Sequence, residues 1–255
     1  MQNTKTKKGL FNTKTFTLAG SFAMLLLPVV VLADNCVYQE EIAFTLPSTN
    51  IATVDVSAGA GSLNVSSTPS AREISVVATV CTSRKSGLED MGMKHLVQGD
   101  TQYLWTKIPE DDRRSLVSSG YRFIHLDVTV PAGMPVNIKD GSGELTVSGT
   151  GDLNLVDGSG AAHIFAIAGN VKVKDGSGEL TIEDVQGNVD IDDGSGEIDI
   201  VKVAGAVTVR DGSGDINVRD VQLEVSILED GSGDVNIDQG SRSARSATQV
   251  STNLE

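Results

Sequence analysis

Six aspartates recur at near-constant spacing and are the residues of this chain best placed to bind a cation. Each begins an Asp-Gly-Ser-Gly tetrapeptide, and successive copies lie 17, 18, 18, 18 and 19 residues apart. The six are Asp140, Asp157, Asp175, Asp193, Asp211 and Asp230. If the repeats stack, the carboxylates form a column, and carboxylate oxygens are ligands that Ca²⁺ prefers. These aspartates are therefore candidate Ca²⁺ ligands.

A purely structural role explains the same aspartates without a metal ion. An Asp at the first position of a turn accepts hydrogen bonds from backbone N–H groups two residues later. The Ca²⁺-binding β-roll nonapeptide requires Asp at its sixth position, where this chain has apolar residues such as Leu145 and Leu180. Two charges ~5 Å apart in water repel by only about 0.8 kcal/mol. We favour the solvated-turn interpretation, keep Ca²⁺ as the alternative, and predict no other cofactor.

Between the tetrapeptides, apolar and polar residues alternate with period two. Eleven half-repeats offer 22 apolar positions, from Leu145 to Ile237, and apolar residues fill all of them. Such alternation indicates half-buried strands, and a motif at fixed period indicates a unit stacked on copies of itself. We predict an all-β fold, a flattened parallel β-solenoid with two short strands per coil of about 18 residues. Its corner glycines, including Gly187 at the opposite edge, are expected to adopt positive φ.

The first 33 residues have the composition of a secretion signal. Four lysines and no acidic residue precede an apolar run over residues 18–32, and cleavage is predicted between Ala33 and Asp34. The run is short for a membrane-spanning helix, so no stable membrane insertion is expected after cleavage. An uncleaved anchor is the alternative. We predict a periplasmic protein or one that is secreted or on the cell surface.

The mature chain is predicted to form one domain. We assign residues 34–240 to the solenoid, with the segments before the first tetrapeptide as irregular early coils. Residues 82–120 depart from the pattern and form an insertion that packs on the solenoid or caps it, with a helix around residues 88–96. Residues 241–255 lack apolar periodicity and are predicted to be a disordered tail.

The net charge and the cysteine content indicate which cellular compartment and which classes of binding partner to expect. Without the signal, 16 basic and 34 acidic side chains remain, a net charge of −18. Nucleic-acid binding needs a basic face and is not expected. Cys36 and Cys81 are an even pair that should form a disulfide bond in an oxidising compartment. The expected partner is an unidentified protein or glycan of the cell envelope.

No constellation typical of catalysis is visible. Glycoside hydrolysis needs two carboxylates about 5–9.5 Å apart. The outward strand acids Asp190 and Asp199 are nine residues apart and should lie on opposite sheets. The three histidines occur in unrelated contexts: His95, His125 and His163. We predict that the protein is not an enzyme and keep a polysaccharide-degrading β-helix as the less favoured alternative.

Two aromatic pairs offer another kind of surface. Tyr103 and Trp105 are two residues apart and so share one strand face, and Tyr121 and Phe123 are spaced alike. Exposed rings of this kind can stack on sugars, whereas aromatic rings usually lie at least partly buried. We favour packing against the solenoid or the insertion and keep sugar binding as the alternative.

The arrangement resembles the bacterial "putative adhesin" family of uncharacterised domains. The residues that carry the resemblance are the Asp-Gly-Ser-Gly corners, the Val-Thr-Val-Pro-Ala-Gly segment over residues 128–133 and the Ala-Gly-Ala-Gly corner over residues 58–61. The likeness covers about residues 41–238 and implies a β-solenoid, envelope association and no catalytic residues. We predict a non-enzymatic, exported, adhesin-like binding or scaffolding module. The alternative is a Ca²⁺-stabilised or polysaccharide-binding surface protein.

Overall fold

The computed structural model describes residues 36–109, 120–238 and 248–249, which form twenty strands and one single-turn helix, α1 (Gly87–Asp90). The strands are β1 (Tyr38–Pro47), β2 (Thr53–Ser57), β3 (Leu63–Thr68), β4 (Glu73–Thr82), β5 (Gly92–Gln98), β6 (Thr101–Lys107), β7 (Arg122–Pro131), β8 (Val136–Lys139), β9 (Leu145–Ser148), β10 (Leu153–Val156), β11 (Ala162–Ile167), β12 (Val171–Asp175), β13 (Leu180–Val185), β14 (Val189–Asp193), β15 (Ile198–Val203), β16 (Val207–Asp211), β17 (Ile216–Val221), β18 (Val225–Asp230), β19 (Val235–Asp238) and β20 (Thr248–Gln249).

The strands form two ten-stranded sheets that face each other across the core. The order is β1-β4-β7-β3-β9-β11-β13-β15-β17-β19 in the first sheet and β20-β18-β16-β14-β12-β10-β8-β2-β6-β5 in the second. From β8 onward the chain alternates between the sheets, and each strand is parallel to the strand one coil earlier, as in the pairing of Leu153 with Val171. The predicted parallel β-solenoid with two strands per coil is confirmed.

The core lies between the sheets and consists of the aliphatic half of the alternation. In β13, for example, Leu180 and Ile182 are fully buried while Glu183 is exposed. Equivalent residues of successive coils are register partners, such as Leu180 with Ile198, so the interior forms continuous columns of Val, Ile and Leu. β-branched and branched aliphatic side chains pack well on a pleated surface, which explains why this composition forms strands.

The N-terminal half departs from the predicted run of successive coils. Strand β4 is antiparallel to both β1 and β7. Strand β6 pairs with β2, and β7 pairs with β3, on the side away from β8 and β9. The coil made of β2 and β3 is therefore enclosed between a later coil, β6 and β7, and the next one, β8 and β9. Only part of this region consists of coils in chain order.

The predicted helix around residues 88–96 is largely replaced by a strand. Helix α1 ends at Asp90, and β5 then pairs with β6 in an antiparallel hairpin. The turn between them contains Gly99 at φ 65°, the left-handed conformation that two-residue hairpin loops require. Hairpin pairing at the edge of the second sheet outweighs the apolar spacing that favoured a helix.

The two edges of the solenoid use glycine for different reasons. At the Asp-Gly-Ser-Gly corners the second glycine has positive φ, as predicted; Gly178 has φ 145°. At the opposite edge the expectation was wrong, because positive φ falls on Ala166, Asp184, Lys202 and Asp220 instead. Gly187 is required there because a side chain would overlap the backbone of Gly169 in the preceding coil.

A disulfide bond joins Cys36 to Cys81 and ties the start of the described chain to the end of β4. The predicted signal peptide and its cleavage site at Ala33 and Asp34 lie outside the described residues. Most of the predicted tail also lies outside them, and Thr248–Gln249 pairs with β18. Within the described parts of the chain, no helix has the length and apolarity needed to cross a bilayer.

Candidate functional site

The repeated aspartates lie inside the solenoid and not on its solvated surface. In β12 the inward residues are Val171, Val173 and then Asp175, so the aspartate is the third inward position of the same alternation. Five of the six are buried, with 3–5% of their surface exposed: Asp140, Asp157, Asp175, Asp193 and Asp211. The prediction of solvated turn residues is corrected. The signal was present in the sequence, since the period-two pattern continues through each of these five buried aspartates.

Burial leaves these carboxylates poorly compensated. Among the described residues, no group makes a hydrogen bond of good geometry to either oxygen of Asp140, Asp157, Asp175 or Asp193, although backbone N–H groups of the following residues lie near them. Asp211 is an exception, because its Oδ1 accepts a hydrogen bond from the N–H of Ser213 at 3.2 Å. Strand register places the aspartates of successive coils side by side, as in the pairing of Asp175 with Asp193. The result is a buried acidic column.

Both burial and stacking disfavour the charged form of the column. Desolvation is the larger cause and the charge of the next aspartate the second, and together they raise the pKa of Asp140 and of Asp175 to about 6. Desolvation likewise raises the pKa of Asp157, Asp193 and Asp211. Nearby backbone N–H groups offset part of the rise. Asp140 and Asp175 can thus exchange protons in the mildly acidic range.

The column offers few ligands to a metal ion. Across residues 36–109 and 120–238, no three His, Cys, Asp or Glu side chains converge as a metal site would require. Each coil contributes one inward carboxylate, so a cation would be shared by neighbours such as Asp175 and Asp193. Ca²⁺ usually takes six to eight oxygen ligands. The arrangement suits proton exchange better than a complete Ca²⁺ shell.

The outward acids considered for glycoside hydrolysis do not face each other. Asp190 lies on β14 in the second sheet and Asp199 on β15 in the first. Asp190 is ion-paired with Lys172 at 3.8 Å and Arg210 at 3.6 Å. The three histidines lie on three strands, β5, β7 and β11. These residues therefore do not assemble into a pair of carboxylates across one substrate.

The two aromatic pairs differ in their surroundings. Tyr121 and Phe123 stack with ring centroids 5.5 Å apart, and the Tyr121 hydroxyl accepts a hydrogen bond from the N–H of Val37, which fits a packing role. Tyr103 and Trp105 instead lie on the outer face of the second sheet and are only partly buried. They line a groove of about 450 Å³.

The groove results from small residues on one strand between larger ones on its neighbours. Strand β2 and its corner contribute Ser57, Ala58 and Gly59 to the floor, with Trp105 on one side and Lys139 on the other. The two-residue spacing of Tyr103 and Trp105 predicts that their rings share one face, but it does not identify the residues beside them. Nothing in the local pattern shows that β2 lies between β6 and β8, because those pairings connect distant segments.

Residues 78–253 match the model of the Toastrack DUF4097 family. A "putative cell adhesion protein" from Clostridium sporogenes is similar in structure, with 18% identity, 80% of this chain and 100% of that chain covered, and a TM-score of 0.48. A "putative adhesin" from Bacteroides fragilis has 11% identity, coverages of 79% and 97%, and a TM-score of 0.40.

A third similar structure is a "putative lipid binding protein" from Parabacteroides distasonis, with 12% identity, coverages of 80% and 95%, and a TM-score of 0.30. No curated protein matches the chain in sequence.

Proposed function

We propose a non-catalytic binding or scaffolding role in the bacterial cell envelope for this chain, which belongs to the Toastrack DUF4097 family. The observation that carries the proposal is the contrast between the interior and the faces of the solenoid. The interior repeats coil after coil, whereas the outward positions of the second sheet change from Asn154 to Lys172, Asp190 and Thr208. A rigid frame with varied outer faces suits recognition of a partner.

The predicted export signal and the disulfide bond support the envelope location. The basic and apolar composition of the first 33 residues is typical of a signal peptide. The Cys36–Cys81 disulfide bond fits an oxidising compartment such as the periplasm or the cell surface. Cell fractionation followed by mass spectrometry of the mature protein should find it outside the cytoplasm with Asp34 as its first residue.

Capture from isolated envelopes tests the binding role. The exported, oxidised protein is immobilised and exposed to detergent-solubilised envelope material. We expect retention of a specific component, and we expect charge reversal on one outer face to reduce it, for example Lys172→Glu combined with Lys174→Glu. Charge reversal on the first sheet, Arg219→Glu, is the matched control. If neither the wild-type protein nor any variant retains a component above the background of bare resin, the proposed role is wrong.

A further inference from the structure

We propose that the groove beside Tyr103 and Trp105 is a binding site for a neutral glycan chain. The inference rests on the proposed binding role and names the ligand class and the residues that would recognise it. Its elements are a pair of aromatic rings, a floor of small side chains, and hydrogen-bonding groups on β2 and on the opposite rim.

The aromatic rings supply the apolar half of the site. Tyr103 and Trp105 project from the same face of β6, and Leu96 on the neighbouring strand pairs with Tyr103 and is 53% exposed. A sugar ring carries C–H groups on its faces and hydroxyl groups around its edge. Such a face packs on an aromatic ring, and Tyr and Trp keep a polar group available to solvent while doing so.

The floor gives the groove its depth. Ser57 is the register partner of Trp105 and of Lys139, so one small side chain lies between two long ones. Beyond it the chain continues through Ala58 and Gly59 toward the corner, where Ile108 closes the side of the groove. Because the trough follows β2, it suits an extended chain of rings better than a compact molecule.

Strand β2 and the opposite rim on β8 carry oriented hydrogen-bonding groups. Asn154 donates a hydrogen bond to Oδ1 of Asn137 at 2.9 Å, and Asn137 donates to Oδ2 of Asp55 at 3.3 Å. These two hydrogen bonds fix the orientation of the Asp55 carboxylate. Its Oδ1 has no hydrogen-bond partner in the described part of the protein, so it can accept a hydrogen bond from a sugar hydroxyl group. Lys139 makes no ion pair with any described residue, so its ammonium group can donate hydrogen bonds to the sugar. An acceptor on β2 and a donor on β8 match sugar hydroxyl groups, which both donate and accept.

Charge favours a neutral ligand over an acidic one. The chain has a net charge of −14, and both Asp55 and Asp140 line the groove against a single lysine, Lys139. An acidic polysaccharide would meet repulsion from the protein as a whole and from the groove itself. Uncharged hexose or N-acetylhexosamine chains avoid that repulsion and still use the aromatic rings.

Tryptophan fluorescence tests the site directly, because Trp105 is the only tryptophan of the chain. The oxidised protein is titrated with cellohexaose, chitohexaose and mannohexaose, and with hexagalacturonate as an acidic probe. We expect at least one neutral hexasaccharide to change the Trp105 emission saturably at millimolar concentration or below. Tyr103→Ala should weaken binding about tenfold, as expected for loss of one aromatic contact. Ser57→Tyr, which fills the groove, should abolish it.

Phe165→Ala is the matched control, since it removes an aromatic side chain that is 43% exposed on β11 in the other sheet. It should leave the titration unchanged, and the thermal melting of all variants verifies their fold. The glycan site is refuted if no neutral hexasaccharide alters the emission, if only hexagalacturonate does, or if Ser57→Tyr still binds. Envelope capture that survives Ser57→Tyr while the sugars fail refutes the site alone and leaves the proposed binding role standing.

Discussion

Individual aspartates link the stability of this protein to pH. The pKa of Asp175 is raised from 3.8 to about 6 by desolvation and by the charge of Asp193. As pH rises through about 4, the unfolded chain releases the proton first while the folded protein retains it. The folded state then binds more protons, so its stability falls with rising pH until both states are ionised above about 6. The stabilisation is fully present below pH 4 and lost by pH 7.

We expect the free energy of unfolding to fall between pH 4 and pH 7, by up to about 3 kcal/mol for Asp175 alone. Asp175→Asn removes one of the titrating carboxyls, so the fall with pH should become shallower and the variant should be more stable than wild type at pH 7. Urea denaturation at a series of pH values measures this. Asp192→Asn, an exposed neighbour on the outer face, is the control and should keep the wild-type slope. A wild-type curve that rises with pH would contradict the assignment of raised pKa values.

The Ca²⁺ alternative makes a different prediction for the same residues. If neighbouring aspartates share a cation, millimolar Ca²⁺ at pH 8 should raise the melting temperature, and Asp193→Asn should remove the gain. If the column binds protons but no metal ion, Ca²⁺ should leave the melting temperature unchanged. The sparse ligand set leads us to expect no change, and differential scanning calorimetry with and without EDTA checks it.

The burial of these aspartates could have been predicted, but a general rule points the other way. The alternation Val171, Val173, Asp175 assigns the aspartate to the interior without ambiguity. Charged residues are seldom fully buried without a partner, and a turn tetrapeptide normally faces solvent. The groove could not be predicted from the sequence, because Trp105 and Lys139 come together only through the pairing of β6 and β8 with β2.

At the scale of the strands, regular coils follow from the sequence and irregular ones do not. The period-two pattern predicts every strand from β9 to β19 and the sheet that each one joins. The same pattern carries no information on strand order, so the insertion of β2 and β3 between coils from later in the chain was not predictable. The last period, between Asp211 and Asp230, has 19 residues because of a β-bulge. Val209 pairs with Ile227 but Arg210 pairs with Glu229, so β18 contains one extra residue.

Stacking of the corners makes glycine indispensable at the fourth position of the Asp-Gly-Ser-Gly tetrapeptide. A methyl group at Gly178 would overlap the carbonyl oxygen of Gly160 in the coil before, and its φ of 145° is unfavourable for any side chain. Gly178→Ala should therefore cost more than about 3 kcal/mol of unfolding free energy. Gly133→Ala is the control, because Gly133 also has positive φ, 71°, but open space around it, and should cost about 1 kcal/mol. Equal losses in urea denaturation would show that the backbone contact is unimportant.

The disulfide bond is expected to hold the antiparallel end of the first sheet in place. It closes a loop of 45 residues, which corresponds to about 4 kcal/mol of lost unfolded-state entropy. The double variant Cys36→Ser, Cys81→Ser should lower the melting temperature of the oxidised protein and leave a fold that no longer responds to dithiothreitol. A wild-type protein whose melting is insensitive to dithiothreitol would contradict this role.

For the molecule as a whole, stability should depend on complete coils, because each coil contacts only its neighbours. Deleting residues 175–192 removes one full period and joins Lys174 to Asp193, so every later strand stays in its own sheet. We expect a folded, shorter solenoid that melts several degrees lower. Deleting residues 184–192 removes half a period and shifts every later strand into the opposite sheet, opposite non-equivalent partners. That variant should fail to fold, as judged by far-UV circular dichroism and size-exclusion chromatography. If both deletions gave equally stable proteins, coil register could not be what specifies this fold.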